Sequence, residues 1–366
     1  MKLYLIAGEA SGDLHGSNLV KALIRKNPNV EIRAWGGDLM EQAGATLVRH
    51  YRDLAFMGFW EVLKNLRTIL RNLASCKADI EQFQPDALVL IDYPGFNLRI
   101  AKWAKKQGIP VVYYISPQIW AWHQSRVKQI QQDVDQMLVI LPFEQDFYKK
   151  HGVNVSFVGH PLLDAIGPPP PDSERDPKLI ALLPGSRKQE LKRILPPMLE
   201  VTRDFPDYRF VIARAGSLDQ EVYEEALKEY PEVRFETNQT YELLRTARVA
   251  LVKSGTSTLE AALFNVPQVV CYAGNAISYA IAKRVIQVKY ISLVNLIMDA
   301  PLVCELIQHE LRRENLKREL QTILSPEGSL RQKEGYALLR QILGNAGASD
   351  QAAEIILEQA VKKPEA

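Results

Sequence analysis

The chain has 366 residues, enough for about two domains, and its 47% hydrophobic and 24% charged content is that of an ordinary soluble globular protein. A net charge of +2 gives no case for nucleic-acid binding, and no zinc-spaced cluster or RNA-binding signature occurs. Cys76, Cys271 and Cys304 lie far apart without paired spacing, which fits a reducing compartment and argues against a metal site or a disulfide framework.

The N-terminal apolar run meets Glu9 too soon for a signal peptide, so Leu3–Ala7 reads as a first buried strand. No apolar run approaches the roughly 20 residues of a membrane span. The chain is therefore expected to be cytoplasmic, or peripheral on a membrane. The first strand ends in AGEASGDLHG (7–16), where Gly8 and Gly12 allow a tight turn and Ser11 or Asp13 can cap the following helix, His15–Lys26. The G-x-G-x-x-G spacing is absent, which excludes a nicotinamide or flavin site. Glu9 would repel a pyrophosphate, so Glu9, Ser11 and Asp13 suit a sugar hydroxyl or an acceptor, a bare structural turn being the alternative.

Ile32–Trp35 is a second strand. Residues 56–70 form an amphipathic helix with Phe59, Val62, Leu63, Leu66 and Leu70 on one face and Lys64, Arg67 and Arg71 elsewhere. Such a helix can lie in a membrane interface, line an acyl groove or simply join a core; periodicity does not separate these. The strand Ala87–Ile91 ends at Asp92. A carboxylate at the tip of a parallel strand can take a proton from an attacking hydroxyl, or merely serve as a turn residue before Pro94.

Beyond Val111–Ile115, the stretch 113–126 packs Trp120, Trp122 and His123 among Ser116 and Ser125. Exposed aromatics interleaved with donors suit stacking on a sugar face; a well-packed loop is the alternative. Met137–Ile140 and Val155–Val158 complete a first alternating set, with helices such as Asn97–Lys106 between strands. This order is a doubly wound parallel sheet.

Residues 167–177 are a stiff, proline-rich break, after which Leu179–Leu183, Arg209–Ala213, Val233–Phe235, Val249–Val252 and Gln268–Tyr272 restart the pattern. Two such halves on a short hinge enclose a cleft, with ligands at the C-terminal ends of the strands. LPGSR ends a strand in a small-residue turn, Gly185 and Ser186, that delivers Arg187, suited to a departing diphosphate. At 253–267, small residues run into a helix at Leu259 to Phe264. A helix start framed by Ser254, Gly255 and Thr256 suits a phosphate, and Glu260 suits ribose hydroxyls. The alternative there is a capping box, with Thr256 or Ser257 at the cap. Residues 349–363 read as one more amphipathic helix that can pack back onto the first half.

Several further motifs join these in order: FMGFWEVLKNL (56–66), PDALVLIDYPGFN (85–97), YYISPQIWAWHQSRV (113–127), ILPFEQDFYKKHGV (140–153), FVGHPLLD (157–164), KSGTSTLEAALFNVPQVV (253–270), YISLVNL (290–296) and ELIQ (305–308). Together they resemble the lipid-A-disaccharide synthase family, inverting glycosyltransferases of the two-domain GT-B type, over nearly the whole chain. The resemblance implies that UDP-2,3-diacylglucosamine is joined to 2,3-diacylglucosamine 1-phosphate through a β-1,6 link, with release of UDP. It implies no metal ion and no cofactor. It makes Asp92 the base, Arg187 a ligand of the UDP phosphates, and Gly185, Ser186, Ser254, Gly255, Thr256, Glu260 and Asn295 the UDP site. Glu9, Ser11, Asp13, Ser116, Trp120 and Trp122 fall on the acceptor side, and Phe56, Met57, Phe59, Trp60 and Leu63 meet acyl chains or the inner leaflet of the cytoplasmic membrane.

On this reading residues 1–166 are an acceptor-side domain, 167–178 a hinge, 179–345 a UDP-sugar domain and 346–366 the returning helix; a homo-oligomer is left open. Gly95 stands where the family often has a second acid, His123 replaces a frequent arginine, Val294 replaces a proline, and MDAP (298–301) stands where an AGRE-like run is common. Two other readings compete: a UDP-GlcNAc 2-epimerase on the same architecture, and a non-catalytic UDP-sugar-binding scaffold. Against the epimerase reading, the second half of this chain lacks an HR-x-E-N-like stretch after its first strand; LPGSR stands there.

Overall fold

A computed structural model describes residues 1–54, 66–122, 126–216, 218–275, 279 and 289–361. Phe56, Met57, Phe59, Trp60, Leu63 and His123 lie outside the described residues, as does the side chain of Trp122.

The chain forms two compact units, Met1–Ala165 with Leu343–Ala366, and Ile166–Ile342. The first holds a seven-stranded parallel sheet in the order β3-β2-β1-β4-β5-β6-β7. Its strands are β1 (Lys2–Ala7), β2 (Glu31–Gly36), β3 (Thr46–His50), β4 (Ala87–Ile91), β5 (Val111–Tyr114), β6 (Gln136–Val139) and β7 (Val155–Phe157). The second holds a six-stranded parallel sheet, β10-β9-β8-β11-β12-β13. There the strands are β8 (Leu179–Leu183), β9 (Arg209–Arg214), β10 (Arg234–Thr237), β11 (Val249–Lys253), β12 (Gln268–Tyr272) and β13 (Cys304–Ile307). Two doubly wound parallel α/β sheets are the fold class that the alternation predicts.

Central strands are covered on both faces, so β4 and β8 read as unbroken apolar runs with every residue buried. The edge strands β3 and β13 are only partly buried and carry Arg49, His50 and Glu305. They lack the apolar run, and the sequence reading passes over them.

The order of strands reverses beside β1 in the first sheet, where β1 pairs with β2 and β4, and beside β8 in the second, where β8 pairs with β9 and β11. Loops leaving the C-terminal ends of two strands that diverge in this way open a crevice that ligands use. In this chain those loops begin at Gly8 and Asp92, and at Pro184 and Ser254.

The helix Ala348–Val361 packs against the helix Ala10–Lys26, placing Ala352, Ala353 and Ile356 in a core with Leu19, Val20 and Leu23. Asp164 holds its start, accepting from the N–H groups of Gly347 at 2.6 Å and Ser349 at 2.9 Å. Arg25 pairs with Asp350 at the surface. Behind these contacts His15 and His160 are buried; burial lowers His15 to about 4, against the charge of Asp164, and His160 to about 3, with His15 adding to the effect.

Candidate functional site

At the first crevice the chain passes through two consecutive left-handed residues, Asp92 (φ 46°) and Tyr93 (φ 48°). Neither is glycine, so the conformation costs energy that the surroundings must offset. They do so through the Asp92 carbonyl, which accepts from Asn97 Nδ2 at 2.8 Å and Tyr113 Oη at 2.6 Å, while the Asp92 N–H donates to the Tyr114 carbonyl at 3.1 Å. The Tyr93 ring then lies over Gly8, where a Cβ would come within 2.3 Å of it. The motifs AGEASGDLHG and IDYPGFN are thus two halves of one packing arrangement.

The result is a carboxyl group out of its ordinary range. Burial pushes Asp92 up to about 7, the nearby Glu9 charge adds to this, and the Tyr93 N–H opposes it. A carboxylate titrating near neutrality is matched to taking a proton from a hydroxyl. Glu9 is half-buried at the start of its helix, and Ser11, two residues on, is exposed. Asp13 is not available in the same way: it is buried, and accepts from the N–H groups of Gly37 at 2.8 Å, Leu39 at 3.2 Å and Met40 at 3.0 Å. It anchors the helix Asp38–Gln42.

Ser116 and Trp120 also bond inward. Ser116 is buried with its hydroxyl 2.7 Å from Tyr148 Oη, and the Trp120 indole donates to Glu144 Oε1 at 3.1 Å and meets Phe143 edge-on. The polar atoms expected to meet a sugar are bonded inward, fixing the loop after β5. Glu144 is the hub that the sequence reading misses. Burial pushes its carboxyl up to about 7, against hydrogen bonds from the Leu141 N–H and the Trp120 indole.

At the second crevice Gly185 (φ 104°) and Gly255 (φ 152°) open the two loops. Ser186, Arg187 and Thr256 are exposed there. Arg187 Nη1 lies 3.4 Å and Lys253 Nζ 3.1 Å from the same oxygen, Oε1 of Glu190. Arg214, at the end of β9, brings another cation to this edge and donates to Thr237 Oγ1 at 3.2 Å. Lys253, Glu190 and Arg214 are absent from the residues singled out by sequence.

The helix after Gly255 spans Thr256–Leu263 and Gly255 is its cap, without a side-chain bond. A capping box needs its acid three residues past the cap; Glu260 lies five past it, so that alternative falls. Glu260 instead accepts from Tyr241 Oη at 3.2 Å, and burial raises its carboxyl, opposed by hydrogen bonds from Ser257 and Tyr241. Ser254 and Asn295 bond within this edge. Ser254 is buried and donates to the Ile291 carbonyl at 2.8 Å. Asn295 is 1% exposed, donating to the Val303 carbonyl and Glu305 Oε1, both at 2.9 Å, and accepting from the Val303 N–H at 2.9 Å. Both side chains brace this edge from within. Glu305 accepts from Asn295 and also from Ser292 Oγ at 2.7 Å, which joins the SLVNL and ELIQ motifs.

The family model described as lipid-A-disaccharide synthetase matches residues 3–359. A lipid-A-disaccharide synthase from Syntrophus aciditrophicus (strain SB) is 41% identical over 371 residues, covering 96% of each chain. Among solved structures, the glycotransferase of kitacinnamycin superposes with a TM-score of 0.68 at 17% identity, covering 98% of each chain. The UDP-GlcNAc 2-epimerase from Neisseria meningitidis, bound to UDP-GlcNAc, gives 0.67 at 14% identity, covering 98% of this chain and 100% of the other. At such identities the two structures speak for the GT-B fold alone; sequence decides between them. The chain belongs to the lipid-A-disaccharide synthase family.

Proposed function

We propose that the chain is an inverting glycosyltransferase that joins UDP-2,3-diacylglucosamine to 2,3-diacylglucosamine 1-phosphate, forming the β-1,6-linked disaccharide 1-phosphate and UDP. One observation carries the reading: a carboxyl held near neutrality stands at a strand-order reversal in a chain matched by the family from residue 3 to residue 359. The acceptor's 6-hydroxyl attacks the anomeric carbon from the face opposite UDP. As that C–O bond forms, the bond to the diphosphate oxygen breaks, the hydroxyl proton passes to Asp92 and the electron pair leaves with UDP. Arg187 meets the charge growing on the diphosphate. The exposed loops of Gly185–Ser186 and Gly255–Thr256 supply close backbone approach, and Glu260 the ribose contact. The first unit takes the acceptor, with Glu9 and Ser11 beside the base, and the second takes the UDP-sugar; residues 167–178 join them.

Peripheral attachment to the inner leaflet belongs to the same proposal. No helix among the described residues is long and apolar enough to cross a membrane. The described helix Leu66–Phe83 turns Ile69, Leu73, Cys76, Ile80 and Phe83 to the core and leaves Leu70 57% exposed beside the exposed Arg67 and Arg71. An apolar side chain flanked by arginines suits a lipid interface.

The test is incubation with UDP-diacylglucosamine, alone and with acylated acceptor, in the presence of EDTA. Acceptor-dependent UDP release, with a disaccharide mass in the lipid product, is expected. Isomerised sugar would instead mark an epimerase, and binding without turnover a scaffold.

A further inference from the structure

We infer that Lys253 is a second phosphate-contacting cation of the nucleotide-sugar subsite, acting beside Arg187. The inference rests on the UDP reading above and adds a residue to it.

Lys253 ends a central strand whose other four residues are all buried. Strand β11 pairs with β8, so Lys253 emerges at the strand-order reversal beside the loop that carries Gly185 and Arg187. Its stem runs along that loop: a Cβ on Gly185 would stand 3.4 Å from the Lys253 Cδ. Its ammonium reaches the other loop, where a Cβ on Gly255 would stand 3.6 Å from Nζ. The two glycines leave this space, and the lysine lies between them.

The local charge is unbalanced in the direction an anion needs. One carboxylate, Glu190, serves both Lys253 and Arg187. Both side chains of the Lys253–Glu190 pair are only 20% exposed, so the ammonium is held in one place with little competing water. Lysine offers three donors and arginine five. Glu190 Oε1 occupies few of these, and the rest remain for a diphosphate. Arg187 is more than half exposed, and Lys253 is the more enclosed of the two. The alternative is that Lys253 only pins the helix Lys188–Glu200 to the sheet through Glu190.

Calorimetric titration of UDP and of uridine into wild type, Lys253→Met and Lys253→Arg separates the two. A charge-assisted bond to phosphate predicts UDP binding weakened on the order of ten- to a hundredfold in Lys253→Met, with uridine affinity unchanged and most of the loss restored in Lys253→Arg. Equal weakening of UDP and uridine, or no weakening of UDP, overturns the inference. Should Lys253→Met fail to fold, reductive methylation of the wild-type protein read by peptide mass gives the answer. Protection of Lys253 by UDP but not by uridine supports the contact, and equal labelling overturns it. Wild-type protein that binds neither ligand overturns the nucleotide reading itself. UDP binding that is indifferent to Lys253 overturns this inference alone.

Discussion

The two sheets carry opposite chemistry at the same topological position. Where β1 and β4 diverge, the loops present acids, Glu9 and Asp92, over buried tyrosines and amides. Where β8 and β11 diverge, they present cations, Arg187 and Lys253, around flexible glycines and a single shared acid. One frame built twice therefore places a buried carboxyl at the reversal in one unit and partly exposed cations at the reversal in the other. The difference lies in what backs each loop. In the first unit desolvation raises one carboxyl; in the second, glycines leave room beside the Lys253 side chain.

The largest expected effect removes the acid. Asp92→Asn keeps the shape and the carbonyl bonds to Asn97 and Tyr113 but deletes the base, and should lower kcat by about 10²–10⁴-fold with UDP affinity unchanged by calorimetry. In wild type kcat should rise with pH up to about 7, as Asp92 loses its proton; the residual rate of the variant should lack that limb. The sign for stability is the opposite. Because folding raises this pKa from 3.8 to about 7, the folded state holds the proton longer, and Asp92 detracts from stability increasingly as pH rises through that window. Asp92→Asn should accordingly melt higher than wild type at pH 8 and equally at pH 3. A variant that melts lower at pH 8 would mark Asp92 as a structural residue.

On the cationic side, Arg187→Ala should lower kcat by roughly 10²-fold, since diphosphate charge grows as the glycosidic bond breaks. UDP affinity should fall less. An unchanged kcat would leave the comparison with a single working edge. Arg187 is more than half exposed and shares Glu190 with Lys253, so little stability should change with it.

Much of this division is legible in the sequence. Asp92 directly follows an apolar run that is buried, and Arg187 lies four residues past another, beyond the Pro184–Ser186 turn, so both strands and the loops that leave them follow from the apolar pattern. The direction of a small polar side chain does not. Ser254 and Ser116 in loops, and Asp13 and Asn295 in first helical turns, stand where a ligand contact and an inward brace use the same residue types, and each makes inward hydrogen bonds. Lys253 is missed for the converse reason: after four apolar residues it reads as the end of a strand, and its partner Glu190 lies 63 positions earlier. Edge strands β3 and β13 escape because half-solvated strands do not show an apolar run.

A smaller effect concerns affinity rather than rate. Glu260→Ala should weaken UDP binding by more than it slows turnover, because ribose contacts act in ground and transition states alike. Tyr241→Phe removes the 3.2 Å bond that orients the carboxylate and should reproduce part of the loss. Unaltered UDP affinity in Glu260→Ala would withdraw the ribose assignment and leave the acid a partner of Tyr241 and Ser257 only.

The smallest effect tests the one acid that the first edge lacks. Gly95 is the second residue of the helix Pro94–Lys106, and a Cβ there would meet nothing within 4 Å, so the missing carboxylate is not excluded by space. Gly95→Ala should stabilise the protein by about 0.5–1 kcal/mol, the usual gain from replacing a helical glycine, with kcat unchanged. Gly95→Asp places a second negative charge three residues from Asp92, beside that of Glu9. A like charge disfavours the ionised form, so the limb of the pH–kcat profile should move upward from about 7. The alanine variant controls for the helix and the aspartate for the charge. A profile that stays fixed in Gly95→Asp while Gly95→Ala gains stability would mean that Asp92 is insulated from its own helix, and that burial and Glu9 alone set its titration.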